Sequence, residues 1–353
     1  MVVVLRRVAS AEPEGSSRSW RSLLLPNGYP QSVSHEYLRF QCLDAVQGLS
    51  SYLRGVLTTQ AIMQGLGIGS ASSTSLAATS AWVYREGAGM FGGLVFAWLG
   101  GGRFDAEVKQ WRFFADVCVD AALTLELLSP VLCGDDNATC FTAVVCVANV
   151  LKAMCGVAAG ATRAAITSHF ALVGNTADVQ AKEGSQETAV SLLGMVLGLQ
   201  LARVVDAHRE LGFAVFVVLT VVHLVANWLA VRSLVLRDLN VGRLSAAFEA
   251  FSDGAPLSPE SINARERLIL PHKFSFSVGC SESAFDKESS HVSVQTEQDA
   301  TDKDNLCAIA ALVFSRQEQA SDFVSQLLGD EKSLPQLRVP DAGWRVVEKK
   351  KTK

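Results

Sequence analysis

Six apolar segments separated by polar connections dominate the chain between residues 52 and 231. Their approximate bounds are 52–68, 77–99, 113–132, 140–165, 189–205 and 211–231. A helix needs about 20 mostly apolar residues to cross a bilayer. Four segments meet this requirement, while the first and the fifth need support from neighbouring helices. The pattern predicts a mainly α protein built on a polytopic helical membrane bundle of about six helices. Four crossings with two re-entrant segments are the alternative.

The rest of the chain divides by composition. Ser, Glu and Arg mixed with Val and Leu predict a loose leader, and residues 35–49 have the spacing of an amphipathic helix that lies on the membrane surface or packs under the bundle. Charge becomes frequent again after the sixth segment. The predicted divisions are a leader at 1–25, the membrane domain at 26–243, a linker at 244–259, a small soluble α/β domain at 260–348 and a basic tail at 349–353.

The predicted α/β domain has a mixed pattern. Residues 273–281 alternate like a strand, residues 306–314 read as a buried strand, and residues 319–330 have helical spacing. Between the two strands, residues 282–304 are polar and are expected to form a partly disordered loop. Within 244–269 the pattern indicates a helix, a Pro/Ser/Gly turn and a second, polar helix.

Composition and charge agree with a membrane part joined to a water-soluble part. The 353 residues are 49% hydrophobic and 19% charged, where a soluble domain carries roughly 25% charged residues. The net charge of −4 argues against a nucleic-acid partner. Basic residues fall at alternate connections, as the positive-inside bias requires. We therefore expect a multi-pass protein of an endomembrane or organelle with both ends on the cytosolic or equivalent side.

Residues 156–187 hold the first group of candidate binding residues. Arg163 lies in an apolar run, and a polar cluster of Asp178, Lys182, Gln186 and Glu187 follows it. A charge between membrane segments is costly and usually has a partner. Two interpretations stay open for Arg163: it binds a carboxylate or phosphate in a central cavity, or it pairs with an acidic residue, Asp116 or Asp178. We expect Arg163, Asp178, Lys182 and Glu187 to form one buried or semi-buried network at the cytosolic mouth of the bundle.

Two further groups of charges enter the apolar segments. Asp116 and Asp120 lie on a stripe with Lys109 and Arg112, which indicates either interfacial snorkelling with an Arg112–Asp116 pair or a cavity wall suited to a proton or cation relay.

Arg85 and Glu86 lie in the second segment and cannot both face the same neighbour on a helix, so an interhelical pair or a binding site is expected. Gly156, Gly160 and Ala164 recur every four residues, a spacing typical of a close-packing face.

The cysteines and the polar motifs indicate no catalytic centre. Cys133 and Cys140 bracket a short polar turn, so they form a disulfide if the turn faces an oxidising lumen, or stay free thiols in a reducing compartment. The cysteines show no metal-binding spacing with histidine, and there is neither a nucleophile elbow nor a recognisable cofactor site. We expect no enzyme activity, no metal and no cofactor.

Several long motifs resemble the root UVB-sensitive protein family over roughly residues 26–235. These are NGYPQSVSHEY, W-x-x-R-E-G-x-G at residues 82–89, the run at residues 105–120, GATRAAITSHFA and NTADVQAKEGSQE. The resemblance implies a membrane-associated protein. Plant members are linked to ultraviolet-B responses of roots, vitamin B6 homeostasis and auxin transport. No biochemical activity comes with the resemblance.

Three functions are considered in order of preference, with an enzyme last. The first is transport or sensing of a small polar or anionic metabolite, related to vitamin B6 or auxin. The second is a membrane scaffold that recruits a soluble partner such as a vitamin B6-dependent enzyme, and the third is an enzyme acting within the membrane. The second segment and its exit loop resemble the second helix and following loop of major-facilitator transporters. Six crossings would make one half of such a transporter, so a complete one would require a homodimer or a related family member as partner.

Overall fold

The computed structural model describes residues 20–66, 75–100, 103–134 and 137–269, and short pieces of the chain beyond them. Those pieces are residues 275–278, 291–294, 296–297, 305–310, 317–328, 337–338 and 345–346. The protein is mainly helical. Most of the predicted leader, the whole basic tail and the connection between the first and second apolar segments lie outside the described residues.

Each of the six apolar segments lies in one long helix, the first as far as residue 65. After the short helix α1 (Trp20–Leu24), these are α2 (Tyr37–Gly65), α3 (Ser75–Gly100), α4 (Val108–Cys133), α5 (Ala138–Phe170), α6 (Thr176–Ala207) and α7 (Arg209–Ser233). The Asn137 side chain caps α5 by accepting a hydrogen bond from Cys140 N at 3.0 Å. A single residue, His208, separates α6 from α7.

The amphipathic helix expected at residues 35–49 is not separate from the first apolar segment. Both belong to α2, which runs without a break through Ser50 and Gly55. The Ser50 hydroxyl donates to Val46 O at 2.9 Å, so this polar group has its hydrogen-bond partner within the same helix. Burial of Tyr37, Phe40 and Leu57 against neighbouring helices outweighs the modest helix cost of serine and glycine.

Among the described residues, three helices are long and apolar enough to cross a membrane: α5, α6 and residues 210–233 of α7. The fifth apolar segment, predicted to need support, therefore meets the criterion as part of α6. The second and third segments, predicted to qualify comfortably, form α3 and α4 and are not in this set. Helix α4 is outside this set because it carries charged residues along its length, namely Arg112, Asp116, Asp120 and Glu126.

One end of the six helices is closed by a shared core, which we call the basal end. There the starts of α2, α4 and α6 meet the ends of α5 and α7. The core residues are Val33, Tyr37, Phe40, Val108, Ile166, Phe170, Val179, Ala230, Leu234 and Leu236. The chain therefore returns to the basal end after every second long helix.

A second core lies beyond α7. It contains β1 (Leu239–Asn240), α8 (Val241–Ser252), α9 (Pro259–Arg265), α10 (residues 305–310) and α11 (Gln317–Leu328). Phe248 stacks on Phe323 at 4.4 Å between ring centroids. The predicted linker at 244–259 thus includes most of α8, which is buried in this core because its apolar side chains contact α9, α10 and α11.

The described strands are short and pair in parallel. They are β2 (Ser275–Val278), β3 (His291–Val294), β4 (Thr296–Glu297), β5 (Leu337–Arg338) and β6 (Arg345–Val346), with pairs β1–β5, β2–β3 and β4–β6. Strand β2 and helix α11 confirm two predicted elements. The expected disordered loop contains β3 and β4. The buried strand expected at 306–314 is wrong for residues 306–310, which are helical, since a short apolar run rich in alanine suits a helix as well as a strand.

Candidate functional site

A cavity of about 590 Å³ lies between α2, α4, α5, α6 and α7, towards the basal end. This volume is in the range of sites that hold small molecules. Its polar lining comprises Gln41, Asp44, Gln47, Ser51, Tyr52, Arg112, Asp116, Arg163, Thr167, Glu183, Gln186, Glu187, Ser191 and His223. Of the sequence-predicted residues, Asp116, Arg163, Gln186 and Glu187 are brought together here.

The α5 wall of the cavity is built from small residues. A Cβ atom added to Gly156 or Gly160 would meet nothing within 4 Å. The prediction that this stripe is a close-packing face is therefore wrong at both glycines, since they leave open space beside α5. Close-packing glycines are found on other helices, among them Gly194 and Gly198 of α6, where an added Cβ would lie 2.8 Å from Tyr52 and 2.9 Å from Val56.

Arg163 and two glutamates of α6 form one edge of the cavity. Arg163 Nη2 donates to Glu187 Oε2 at 2.9 Å, and Arg163 Nε lies 3.9 Å from Glu183 Oε2. Thr167 Oγ1 and Gln41 Nε2 donate to Glu183 at 2.8 and 3.1 Å. The Arg163 side chain is 44% exposed, so this is a solvated edge and not a buried network.

Asp178 and Lys182 lie outside that edge, and the predicted four-residue network is wrong for both. Asp178 accepts from Asn27 N at 2.7 Å, and Lys182 Nζ donates to Ser22 O at 2.6 Å. They hold the segment that precedes α2 against α6. Gln186 both holds this segment and lines the cavity, and it does the first through its Nε2, which donates to Leu24 O at 2.5 Å.

The charged residues of the stripe on α4 lie in different environments. Arg112 Nη2 donates to Asp44 Oδ1 at 2.9 Å, and its Nε lies 3.9 Å from Asp116 Oδ2, which agrees with the expected Arg112–Asp116 pair. Asp116 is 5% exposed, lines the cavity, and its Oδ2 accepts no hydrogen bond. Asp120 lies deeper, where Arg54 and His223 contact it; His223 Nδ1 is 2.9 Å from Asp120 Oδ1.

Sequence reasoning missed Arg54 and His223 as partners of Asp120. Arg54 is fully buried and also donates to Thr220 Oγ1 at 3.3 Å. His223 is 1% exposed and contributes to the cavity wall. A signal was available for His223, because it is the one titratable residue within the most apolar segment.

Arg85 and Glu86 belong to a second charged cluster, away from the cavity. Arg85 reaches Glu126 of α4 at 3.3 Å, which confirms a partner on another helix. Arg85 Nη1 also donates to Glu86 at 2.6 Å, so the two neighbours do meet, because the long guanidinium side chain can turn back along α3. Lys152 of α5 completes the cluster, 2.5 Å from Glu126 Oε2.

Lys109 marks a third cluster, which joins α4 to the second core. Its Nζ lies 2.7 Å from Asn263 Oδ1 and 3.1 Å from Glu266 Oε2, and Arg243 Nη1 donates to Glu266 Oε1 at 3.0 Å. Burial alone would raise the pKa of Glu266, but the charges of Arg243 and Lys109 and the hydrogen bonds to Lys109 and Asn240 outweigh it and lower this pKa to about 2. Glu266 is therefore ionised at neutral pH.

Cys133 and Cys140 are joined by a disulfide with a Cα–Cα distance of 5.5 Å. It closes the turn between α4 and α5, at the end of the helices opposite the basal end.

The part of the chain that builds the cavity lies within a region similar to known proteins. A family model described as the vitamin B6 photo-protection and homoeostasis domain matches residues 11–254, well over half of the chain. The chain belongs to the root UVB-sensitive family. All cavity-lining residues fall within the matched range, whereas α10 and α11 lie beyond it.

Curated members of the root UVB-sensitive family match over most of this chain. Protein root UVB sensitive 3 of Arabidopsis thaliana is 42% identical over 254 residues, covering 71% of this chain and 57% of that protein. RUS family member 1 of Dictyostelium discoideum is 38% identical over 255 residues, or 71% of this chain and 48% of that protein. Protein root UVB sensitive 2, chloroplastic, of Arabidopsis thaliana is 33% identical over 262 residues, 74% of this chain and 59% of that protein.

The chain thus spans about half the length of the curated relatives it matches. No solved structure matches it.

Proposed function

We propose that this root UVB-sensitive protein is a multi-pass membrane protein that binds a small polar metabolite in the interhelical cavity and transports it or senses its level. The cavity itself is the observation that carries the proposal. It is large enough for a metabolite, lies between helices and has both charged and apolar side chains in its lining. A scaffold that only holds a soluble partner has no need of such a space. The proposal assigns no catalytic role.

Membrane insertion is supported by apolar side chains on the outer faces of the helices. Leu94 and Trp98 of α3 are 72% and 82% exposed, and Leu193 and Val196 of α6 are 50% and 56% exposed. Such a surface is costly in water and favourable in lipid. Together with the three apolar helices, it favours a bundle of six helices embedded in a bilayer.

Vitamin B6 is the metabolite class that the family suggests, through the description of the matching domain. The test is uptake by the full chain in proteoliposomes of pyridoxine, pyridoxamine, pyridoxal phosphate and indole-acetate. Gly160→Leu should obstruct the cavity and reduce uptake at least tenfold, because Gly160 lines the cavity and an added Cβ meets nothing within 4 Å. Gly87→Leu on α3 is the matched control, since its Cβ also meets nothing and it does not line the cavity.

Binding without uptake would identify a sensor. Neither binding nor uptake of any of these compounds by the wild-type protein would contradict the proposal and favour the scaffold.

A further inference from the structure

We propose that the cavity selects a ligand carrying an ammonium group, and therefore takes an amine in preference to a phosphate ester. This rests on the proposed function, because it concerns the ligand of the same cavity. It replaces the anionic substrate that the sequence left open.

The charge of the lining is the first observation. Among the described residues that line the cavity, four carboxylates, Asp44, Asp116, Glu183 and Glu187, face two guanidinium groups. Both guanidinium groups are already engaged at 2.9 Å, Arg112 with Asp44 and Arg163 with Glu187. An incoming anion would have to displace one of these carboxylates, whereas an ammonium group meets more carboxyl groups than guanidinium groups.

The unpartnered polar atoms are the second, independent observation. On the lining residues, the buried side-chain atoms without a hydrogen-bond partner are Gln47 Oε1, Asp116 Oδ2 and Gln186 Oε1. All three are acceptors. Gln47 and Asp116 are each 5% exposed, and the Arg112 Nε that pairs with Asp116 Oδ2 lies 3.9 Å away, beyond hydrogen-bond distance, so the lack of a hydrogen-bond donor is costly at both. An ammonium group supplies three donors and a positive charge, which matches this set.

The orientation of the Gln186 amide is fixed by its other contacts. Its Nε2 donates to Leu24 O at 2.5 Å and to Tyr37 Oη at 3.2 Å, so its oxygen is the atom left without a partner.

The apolar part of the cavity lining indicates the shape and polarity of the ligand beyond its ammonium group. Phe40, Val119, Ile166 and Val190 supply apolar surface, and the open space beside Gly160 leaves room for a ring. We therefore infer a compact amine with a planar or apolar body. Pyridoxamine meets this description. Pyridoxine is its matched probe, because it has a hydroxymethyl group in place of the aminomethyl group.

The experiment is calorimetric binding to the purified full chain in lipid nanodiscs at pH 7.4, with pyridoxamine, pyridoxine and pyridoxamine 5′-phosphate. We expect pyridoxamine to bind at least tenfold more tightly than either of the others. Asp116→Asn removes the charge with little change of shape and should weaken pyridoxamine at least tenfold while changing pyridoxine less than threefold. Glu210→Gln, 77% exposed in the α6–α7 region, is the control carboxylate.

Each outcome decides. Equal binding of pyridoxamine and pyridoxine, or tightest binding of the phosphate ester, would overturn the amine inference and leave the proposed cavity function intact. Failure of all three probes to bind wild-type protein would count against both. Unchanged pyridoxamine affinity in Asp116→Asn would also overturn the inference. Should that variant not fold, the wild-type ratio of pyridoxamine to pyridoxine affinity decides by itself.

Discussion

At the scale of single residues, burial separates the charges that stabilise the protein from those that are free to serve a ligand. Arg54 is fully buried with Asp120 and His223, whereas Arg163 pairs with Glu187 on a solvated edge. Removing one member of a buried pair leaves the other uncompensated, but an exposed pair contributes little. The two arginines should therefore respond very differently to truncation.

Arg54→Ala should lower the free energy of unfolding by about 3–5 kcal/mol, because Asp120 loses its buried guanidinium partner. Arg163→Ala should lower it by about 1 kcal/mol or less, since its side chain is 44% exposed. Denaturant unfolding of both variants in the same detergent provides the comparison. Equal losses would contradict the distinction between the two sites.

Glu266 gives the protein a defined acid sensitivity. Its pKa is about 2 in the folded state against an ordinary value of 4.5, so the unfolded chain binds the proton more readily between these values. Its contribution, about 3 kcal/mol, is complete above pH 4.5 and is lost as the pH falls towards 2. Glu266→Gln should be less stable at pH 7 and should show a shallower loss of stability over this range. Glu260→Gln on the exposed side of α9 is the control, and identical slopes for Glu266→Gln and wild type would refute the assignment.

At the scale of elements, equal glycine spacing has opposite consequences on two helices. Gly156 and Gly160 leave open space on α5, while Gly194 and Gly198 let α6 approach α2. Sequence spacing predicts that a face of small residues exists, but only the neighbouring helix determines whether it packs or lines a cavity.

Gly194→Ala should be destabilising by about 1–3 kcal/mol, because its Cβ would lie 2.8 Å from the Tyr52 ring. Gly160→Ala should be neutral or stabilising by up to about 1 kcal/mol, since alanine favours the helix and meets no neighbour. Thermal unfolding of the two variants tests this. A loss of stability in Gly160→Ala as large as that in Gly194→Ala would show that α5 is packed there after all.

The helices were largely predictable and their partners were not. Apolar runs of about 20 residues fix where α3 to α7 lie, because no other regular structure accommodates them. The cavity residues Asp116, Arg163, Gln186 and Glu187 could be selected from sequence because charges and amides are rare beside such runs. Other contacts of the lining, such as Gln41 with Glu183 and Asp44 with Arg112, join positions far apart in sequence and depend on helix rotation, which hydrophobic periodicity does not specify.

At the scale of the whole molecule, the position of the second core restricts the topology. Lys109 at the start of α4 contacts Asn263 of α9 at 2.7 Å, so the α3–α4 connection and the second core share the basal end. The positive-inside bias supports the same topology. It depends on fewer basic residues than the sequence indicated, because Arg54, Lys109 and Arg243 are buried in ion pairs and do not act as free surface charges.

Single cysteines at positions 103 and 253 should react alike with a membrane-impermeant maleimide in sealed vesicles. Cysteines at positions 137 and 208 should show the opposite accessibility, because one long helix separates each from the basal end. Protein without other free thiols serves as the background. Opposite accessibility of positions 103 and 253 would contradict an even number of crossings between them.

The contacts that hold the segment before α2 also determine how this protein tolerates sequence change. Lys182 and Gln186 of α6 bind carbonyl oxygens of that segment, and Asp178 accepts from the backbone N–H of Asn27. Every chain position offers such backbone groups whatever its side chain. Residues 24 and 27 can therefore change while these backbone hydrogen bonds persist, although replacing Asn27 also removes the 3.4 Å hydrogen bond from its Nδ2 to Asp178 Oδ1. Proline at position 27 is the exception, because it has no backbone N–H to donate. Variation should accumulate on the anchored segment and be purged from the three positions on α6, an asymmetry that a saturation mutagenesis screen for folded protein would reveal.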